Sequence, residues 1–476
     1  MKLKQSLLAL LATTTVAGAA HADMSLINND KGSLDFYSII DVAVVTQDHS
    51  LSISPSMPND IYPFQAQSNG VGNPGGVGAA QSVTGLLGGG LSDSRVGFKG
   101  GLNMEQGTKA IFNVETGFNP VSGQINNAAA AVAANPVIKG QHGSGNNSVN
   151  ADSSLNGQLF NRAAFFGFEN KNWGKVTFGL QNNPMKDLFG SYDPVASDSF
   201  SPFGESGAYG GGGGVSEDAR MENSVRYQYT NSGFLFDAAY QFGNNTSSNG
   251  VIGGSGVGDG YAFRLGYEAS DFGVQFSYDN FTDALKAVNA WSNVAASTAY
   301  TINGSNVLAS AFAPGQIGLV AVNTDSWVLA GKYTGIKNLN LKLGYESFTI
   351  GAPSDTQYNI SSIWGTPVQF VQPGFAPGVS QTTNIWFGGG DYSFDPRWNL
   401  SLGYYNASIG NATGANNSGT IATFSGILTY HLYKNADLYL VGTTNHFSGN
   451  AFENAQGQML FWSDVTAYGA GARVKF

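Results

Sequence analysis

Apolar and polar residues alternate one by one in segment after segment of this chain, and no other feature restricts its fold so tightly. Leu34, Phe36, Ile40, Val42 and Val44 share one parity, while Asp35, Tyr37 and Asp41 share the other. Successive side chains of a strand point to opposite faces, so such a segment has a greasy face and a mostly polar one. The pattern returns in Ala110, Phe112 and Val114 against Lys109, Asn113 and Glu115. It recurs in Leu339, Leu341, Leu343 and Tyr345 against Asn340, Lys342 and Glu346, and again in Trp398, Leu400, Leu402 and Tyr404 against Asn399 and Ser401.

The connections alternate too. Short polar turns at 230–233, 269–273, 335–338 and 395–397 are separated by long segments rich in Gly, Asn, Ser and Pro. Short periplasmic turns and long extracellular loops describe an all-β protein, a transmembrane antiparallel up-and-down β-barrel of the outer-membrane kind. Sixteen strands are predicted, over 33–46, 93–101, 107–118, 158–169, 174–182, 219–230, 233–242, 260–269, 272–280, 323–334, 338–348, 383–394, 397–406, 419–432, 436–444 and 462–476. A sheet in hydrocarbon must close, because a free edge leaves N–H and C=O groups unsatisfied. With so many strands the lumen is too wide for side chains to fill, so the inner face is expected to be wet and polar. Composition agrees: charged residues are 11% of the chain, against ~25% in ordinary soluble domains, yet mean hydropathy is only −0.11. A secreted solenoid or sandwich array would bury both strand faces and would not gather its long loops on one side.

Lys2 and Lys4, the apolar stretch 7–16 and Ala20-His21-Ala22 fit a secretory leader over 1–22 with cleavage after Ala22. The barrel is then 23–476, with 20 basic and 32 acidic residues, a net charge of −12. That balance excludes nucleic-acid binding by a basic face. The absence of cysteine excludes a disulfide scaffold and a thiolate metal site.

Several segments resemble the trimeric general diffusion porins of Gram-negative bacteria. They are Ser94-Arg95-Val96-Gly97-Phe98-Lys99-Gly100, the run from Gly107 to Phe118, Leu159-Phe160-Asn161-Arg162-Ala163-Ala164-Phe165-Phe166-Gly167, Gly174-Lys175-Val176-Thr177-Phe178-Gly179-Leu180-Gln181, the run from Arg220 to Tyr227, and the terminal Phe476. They cover the N-terminal half of the barrel well; the C-terminal half matches mainly in strand pattern. One departure is Leu180, where family members often carry Arg.

The resemblance implies a passive, water-filled channel for ions and small hydrophilic solutes, a homotrimer, with the third extracellular loop folded into the lumen. Here that loop spans 182–217 and carries Asp187, Asp193, Asp198 and Glu205 as constriction carboxylates, with Gly at 210–214 to turn the chain back to the wall. Facing them, Arg95, Lys99, Arg162, Arg220 and Arg226 form a basic wall, with Glu115 and Glu222 beside them. Parity supports inward heads: Arg95 and Lys99 oppose Val96 and Phe98, and Arg220, Glu222, Ser224 and Arg226 oppose Val225 and Tyr227. Arginine on the lipid face costs ~2–4 kcal/mol near the midplane. These heads either set the field of a slot or simply pair with wall carboxylates. Five positive against six negative groups predict weak selectivity, leaning to cations because of an acidic mouth.

The long loops carry Trp291, Tyr300, Trp364, Phe370 and Phe375, which either pack the loops on the mouth or form a vestibule. Small outward residues, Ser38, Ala110 and Gly167, would let barrels pack together, and Phe476 would serve as an assembly signal for the barrel-assembly machinery. Lipid and lipopolysaccharide are expected around the barrel. After leader removal only His49, His142, His431 and His446 remain, none in a catalytic motif. No H-E-x-x-H or Walker loop occurs, and no loop shows ordered Ca²⁺ ligand spacing, so no enzyme activity, cofactor or metal is expected. Three readings stay open: a general porin, a substrate-selective porin, and an adhesin barrel using its loops.

Overall fold

Alternation of this kind leaves one economical solution in a bilayer, and a computed structural model of the chain adopts it. The structure describes residues 24–50, 81–121, 159–203 except 198, 220–243, 259–287, 317–352, 380–410, 418–450 and 463–476, with short stretches between them. The leader, Asp198, Glu205, residues 210–214, Trp291, Trp364 and Phe375 lie outside the described residues, as do the side chains of Tyr300 and Phe370.

The first strands are β1 (Met24–Asn29), β2 (Gly32–Ser50), β3 (Gln81–Gly88), β4 (Arg95–Asn103) and β5 (Lys109–Gly117). Next come β6 (Ala163–Asn170), β7 (Gly174–Asn182), helix α1 (Pro184–Tyr192), β8 (Arg220–Asn231), β9 (Phe234–Gln241), β10 (Asp259–Glu268) and β11 (Phe272–Ala287). The chain finishes with β12 (Ile317–Ile336), β13 (Leu339–Gly351), β14 (Ser380–Asp395), β15 (Trp398–Ile409), β16 (Gly419–Tyr433), β17 (Ala436–Ser448) and β18 (Asp464–Lys475). Each pairs antiparallel with the next, except that β3 and β4 both pair with β2, and β18 pairs back onto β2 from Ile39↔Lys475 to Gln47↔Ala467, closing a barrel of 16 staves. The seam ends on Phe476, whose N–H and C=O both bond Ser38.

Two of the strands named above lie outside the predicted ones. β1 is an added strand that hairpins onto β2, Met24↔Phe36 to Asn29↔Gly32. β3 falls inside what read as the first long loop. β2 pairs with β3 over its outer half and with β4 over its inner half, so β3 and β4 form one stave broken at 89–94.

The lipid face is as parity predicts: Ile40, Val44, Phe98, Phe112, Phe166, Leu329, Leu343, Trp386 and Leu440 are exposed. Among the described residues no helix is long and apolar enough to cross a membrane; the strands cross instead. Gly167 is a correction. It sits between exposed Phe166 and Phe168, so it belongs to the inward parity and presents nothing to a neighbouring barrel.

The inner face departs from the expected wet, polar surface. Val328, Ala330, Phe348, Ile350, Ile385, Phe387, Tyr405 and Ala407 point inward and are buried together with residues of the third loop. The loop is a structural layer inside the barrel, and the wall under it is apolar because it is a packing face.

Candidate functional site: a slot between the third loop and the barrel wall

The third loop leaves β7 as a helix for local reasons. The Asn183 side chain caps α1 by accepting from the Met185 N–H at 2.9 Å, and Pro184 occupies the first helical position. The cap also fastens the helix to the wall, since Asn183 Nδ2 donates to Asp279 Oδ2 at 2.9 Å. Met185, Leu188, Phe189 and Tyr192 form the buried face of α1. At its far end the Tyr192 hydroxyl donates to Glu268 Oε1 at 2.6 Å, and Lys332 reaches the same carboxylate at 2.9 Å.

Beyond the helix the loop continues along the apolar wall. Phe203 stacks on Phe189 at 4.2 Å and meets Phe387 and Tyr405 edge-on at 4.8 and 5.5 Å. Ser197 and Ser199 donate to the carbonyls of Gly90 and Gly89 at 2.7 and 2.8 Å. The described part of the loop, 183–203, thus runs from β7 to the break between β3 and β4 and is pinned along its course.

The predicted loop carboxylates do not stand free. Asp187 pairs with Arg226 at 2.6 Å, and Arg226 also grips Asp237 at 2.6 Å, where Arg264 joins at 2.9 Å. Burial acts to raise the Asp187 carboxyl, but Arg226 and Arg264 outweigh it and hold the group at about 2. Asp193 is buried against the opposite wall, where it accepts from the Tyr405 hydroxyl while its carbonyl accepts from Lys342 Nζ at 2.8 Å. These two residues anchor the loop to the wall.

Arg162 Nε bonds Glu115 Oε1 at 2.6 Å, Arg95 approaches the other oxygen at 3.5 Å, and Arg162 also pairs with Asp93. Arg220 is close enough to add its charge to the field at Glu115 and Asp93, as Lys186 of α1 does at Asp93. Lys99 points inward with its ammonium 5.4 Å above the Tyr37 ring. Glu222 is a second correction. A bulge at Asn223, whose φ is 46°, shifts the register, so Met221 rather than Glu222 joins the inward row with Ala239 and Ala262. Arg220 and Glu222 therefore do not continue the row of Ser224 and Arg226.

Sequence reading missed Asp93, Lys186, Asp237 and Arg264 as parts of this network. Parity places Asp237 and Arg264 inward, but their partners are set by the path of the third loop.

The Gram-negative porin family model matches residues 7–450. This chain belongs to the Gram-negative porins. An outer membrane porin protein of Bordetella pertussis is 27% identical over 350 residues, covering 73% of this porin and 70% of the relative. The anion-selective porin from Comamonas acidovorans has the same fold, with a TM-score of 0.56 at 14% identity over 94% of this chain and all of the other. The trimer form of OmpT of Vibrio cholerae matches with a TM-score of 0.52 at 15% identity over 94% of this chain and 100% of that one. This porin is an outer-membrane channel for passive diffusion of small solutes.

Proposed function

We propose that solutes pass through a slot bounded on one side by the pinned third loop and on the other by the basic wall, and that this slot favours anions weakly. The observation that carries the reading is the anchoring of Asp187 and Asp193 to Arg226 and Tyr405. With those carboxylates turned away, the charges at the basic wall include Arg95, Lys99, Arg162, Arg220 and Lys186 against Asp93, Glu115 and Asp35, the register partner of Lys99. The near balance of charge read from the sequence counted Asp187 and Asp193 as facing the slot, and its cation lean came from the acidic mouth. The acidic charge of the whole chain acts from beyond the slot and is screened over ~8 Å at physiological salt.

The reading is a general diffusion channel, because a fixed slot with a weak field sorts by size and charge and holds no solute tightly. Swelling of liposomes carrying the purified protein tests it. Rates should fall steeply with the size of neutral sugars, and sugar acids should enter faster than amino sugars of equal size. Saturation by one solute class would support a substrate-selective channel, and no swelling at all would leave only the adhesin reading.

The working unit is proposed to be a homotrimer embedded in lipid and lipopolysaccharide, delivered by a leader over 1–22. Support comes from the trimeric relative and from the outward row of β18, where Ala470 and Ala472 are exposed small residues beside Ile40 and Val44 of β2. Crosslinking that yields only monomer contradicts it.

A further inference from the structure

The second stave of the barrel is interrupted. β3 ends at Gly88, β4 begins at Arg95, and the residues between them turn into the lumen and carry Asp93 with them. The excursion is clamped. Asp41, fully buried on the inner face of β2, accepts from the N–H groups of Leu91 and Ser92, both at 3.0 Å, through Oδ2. Its other oxygen accepts from the Tyr439 hydroxyl at 2.5 Å. Gly90 packs so closely that a Cβ there would lie 2.2 Å from Tyr439 Oη, and the third loop rests on its carbonyl through Ser197.

The clamp delivers Asp93 to the basic wall, where it pairs with Arg162. Exposure decides what a passing ion meets. The Asp93 side chain is 40% exposed and Arg162 13%, while Arg95 is 9% and Glu115 12% exposed. We propose that Asp93 is the selectivity-determining carboxylate of the slot, supplied by the wall rather than by the third loop, with Asp41 as the positioning residue that holds it there. The inference rests on the slot being the conduction path.

Asp93 faces Arg95, Arg162, Arg220 and Lys186 and caps their positive charge toward the lumen. Its removal therefore leaves a more strongly anion-attracting surface. Because the chain has no cysteine, Asp93→Cys introduces a single thiol whose charge can be set by reagent. The measurement is the reversal potential of single channels in planar bilayers under a KCl gradient. Asp93→Asn and Asp93→Cys should raise the anion-to-cation permeability ratio roughly threefold, the effect of one unit charge across a few ångström of water. A negatively charged methanethiosulfonate should return Asp93→Cys toward the wild-type value, and a positively charged one should carry it further away. Asp41→Asn should shift selectivity in the same direction as Asp93→Asn, by a smaller factor. Channels of ordinary conductance whose reversal potential ignores both reagent charges, or a thiol that mass analysis shows unmodified, would overturn the proposal. Absence of any conductance in the wild type would instead overturn the slot as conduction path.

Discussion

Arg226 shows how a single residue here serves the architecture rather than the solute. It lies between Asp187 of the loop and Asp237 of β9, and all three are buried or nearly so. Removing one partner of a buried ion pair costs about 3–5 kcal/mol, because a charge is left uncompensated. Arg226→Ala should therefore lower the temperature at which the folded form converts to the unfolded one on a gel; an unchanged transition would contradict the pairing. The pH dependence has a definite sign. Asp187 is held at about 2, below the ~3.9 of a free aspartate. Its stabilisation is thus complete above pH ~4 and is lost as pH falls through the folded value. Heat stability should show no change in this pair's contribution between pH 7 and 5, and a loss on approach to pH 2. Arg162 works differently, since its guanidinium borders the slot. Arg162→Ala should shift the reversal potential toward cations. Parity made Arg95 and Glu115 legible as inward residues, because each sits in a regular strand. Asp93 shares the parity of Arg95 in the predicted strand 93–101, but nothing in the sequence showed that the chain leaves the strand between Gly88 and Arg95 and hands this carboxylate to Arg162. Glu222 was misplaced for a related reason, one bulged residue at Asn223.

At the scale of elements, the regular hairpins were readable nearly to the residue. β7 and the turns before β9, β13 and β17 fall where alternation breaks at short polar segments. The third loop was readable as a loop that enters the lumen only through its resemblance to a family. Nothing in its sequence announced that its apolar residues meet an apolar inner wall, since inward apolar positions look like ordinary core. β3 was missed because its Gln-Ser-Val-Thr-Gly-Leu-Leu-Gly sequence is half small and polar, and it draws its order from pairing with the outer half of β2. The loop's anchoring also predicts its behaviour. Phe203 fills a box made by Phe189, Phe387 and Tyr405, and truncating a buried Phe costs about 3–5 kcal/mol. The barrel wall does not depend on that box, so Phe203→Ala should insert and conduct normally but with large current fluctuations as the loop moves. Quiet traces identical to wild type would show that the polar anchors alone suffice.

The whole molecule is a closed ladder with one seam, and the C-terminus is part of it. Phe476 exchanges both backbone hydrogen bonds with Ser38, while its ring lies on the exposed outer parity with Tyr468, Ala470 and Ala472. Deleting Phe476 should lower the amount of heat-modifiable folded protein in the outer membrane, and wild-type levels would remove it as an assembly signal. The path of ions through the barrel is the central claim, and one measurement addresses it most directly: the zero-current potential of wild-type channels under a KCl gradient, with both sides salty enough to screen the outer loops. A slot lined by Arg95, Arg162, Arg220 and Lys186 predicts a potential of the sign set by a modest preference for chloride. A clear preference for potassium under those conditions would contradict it.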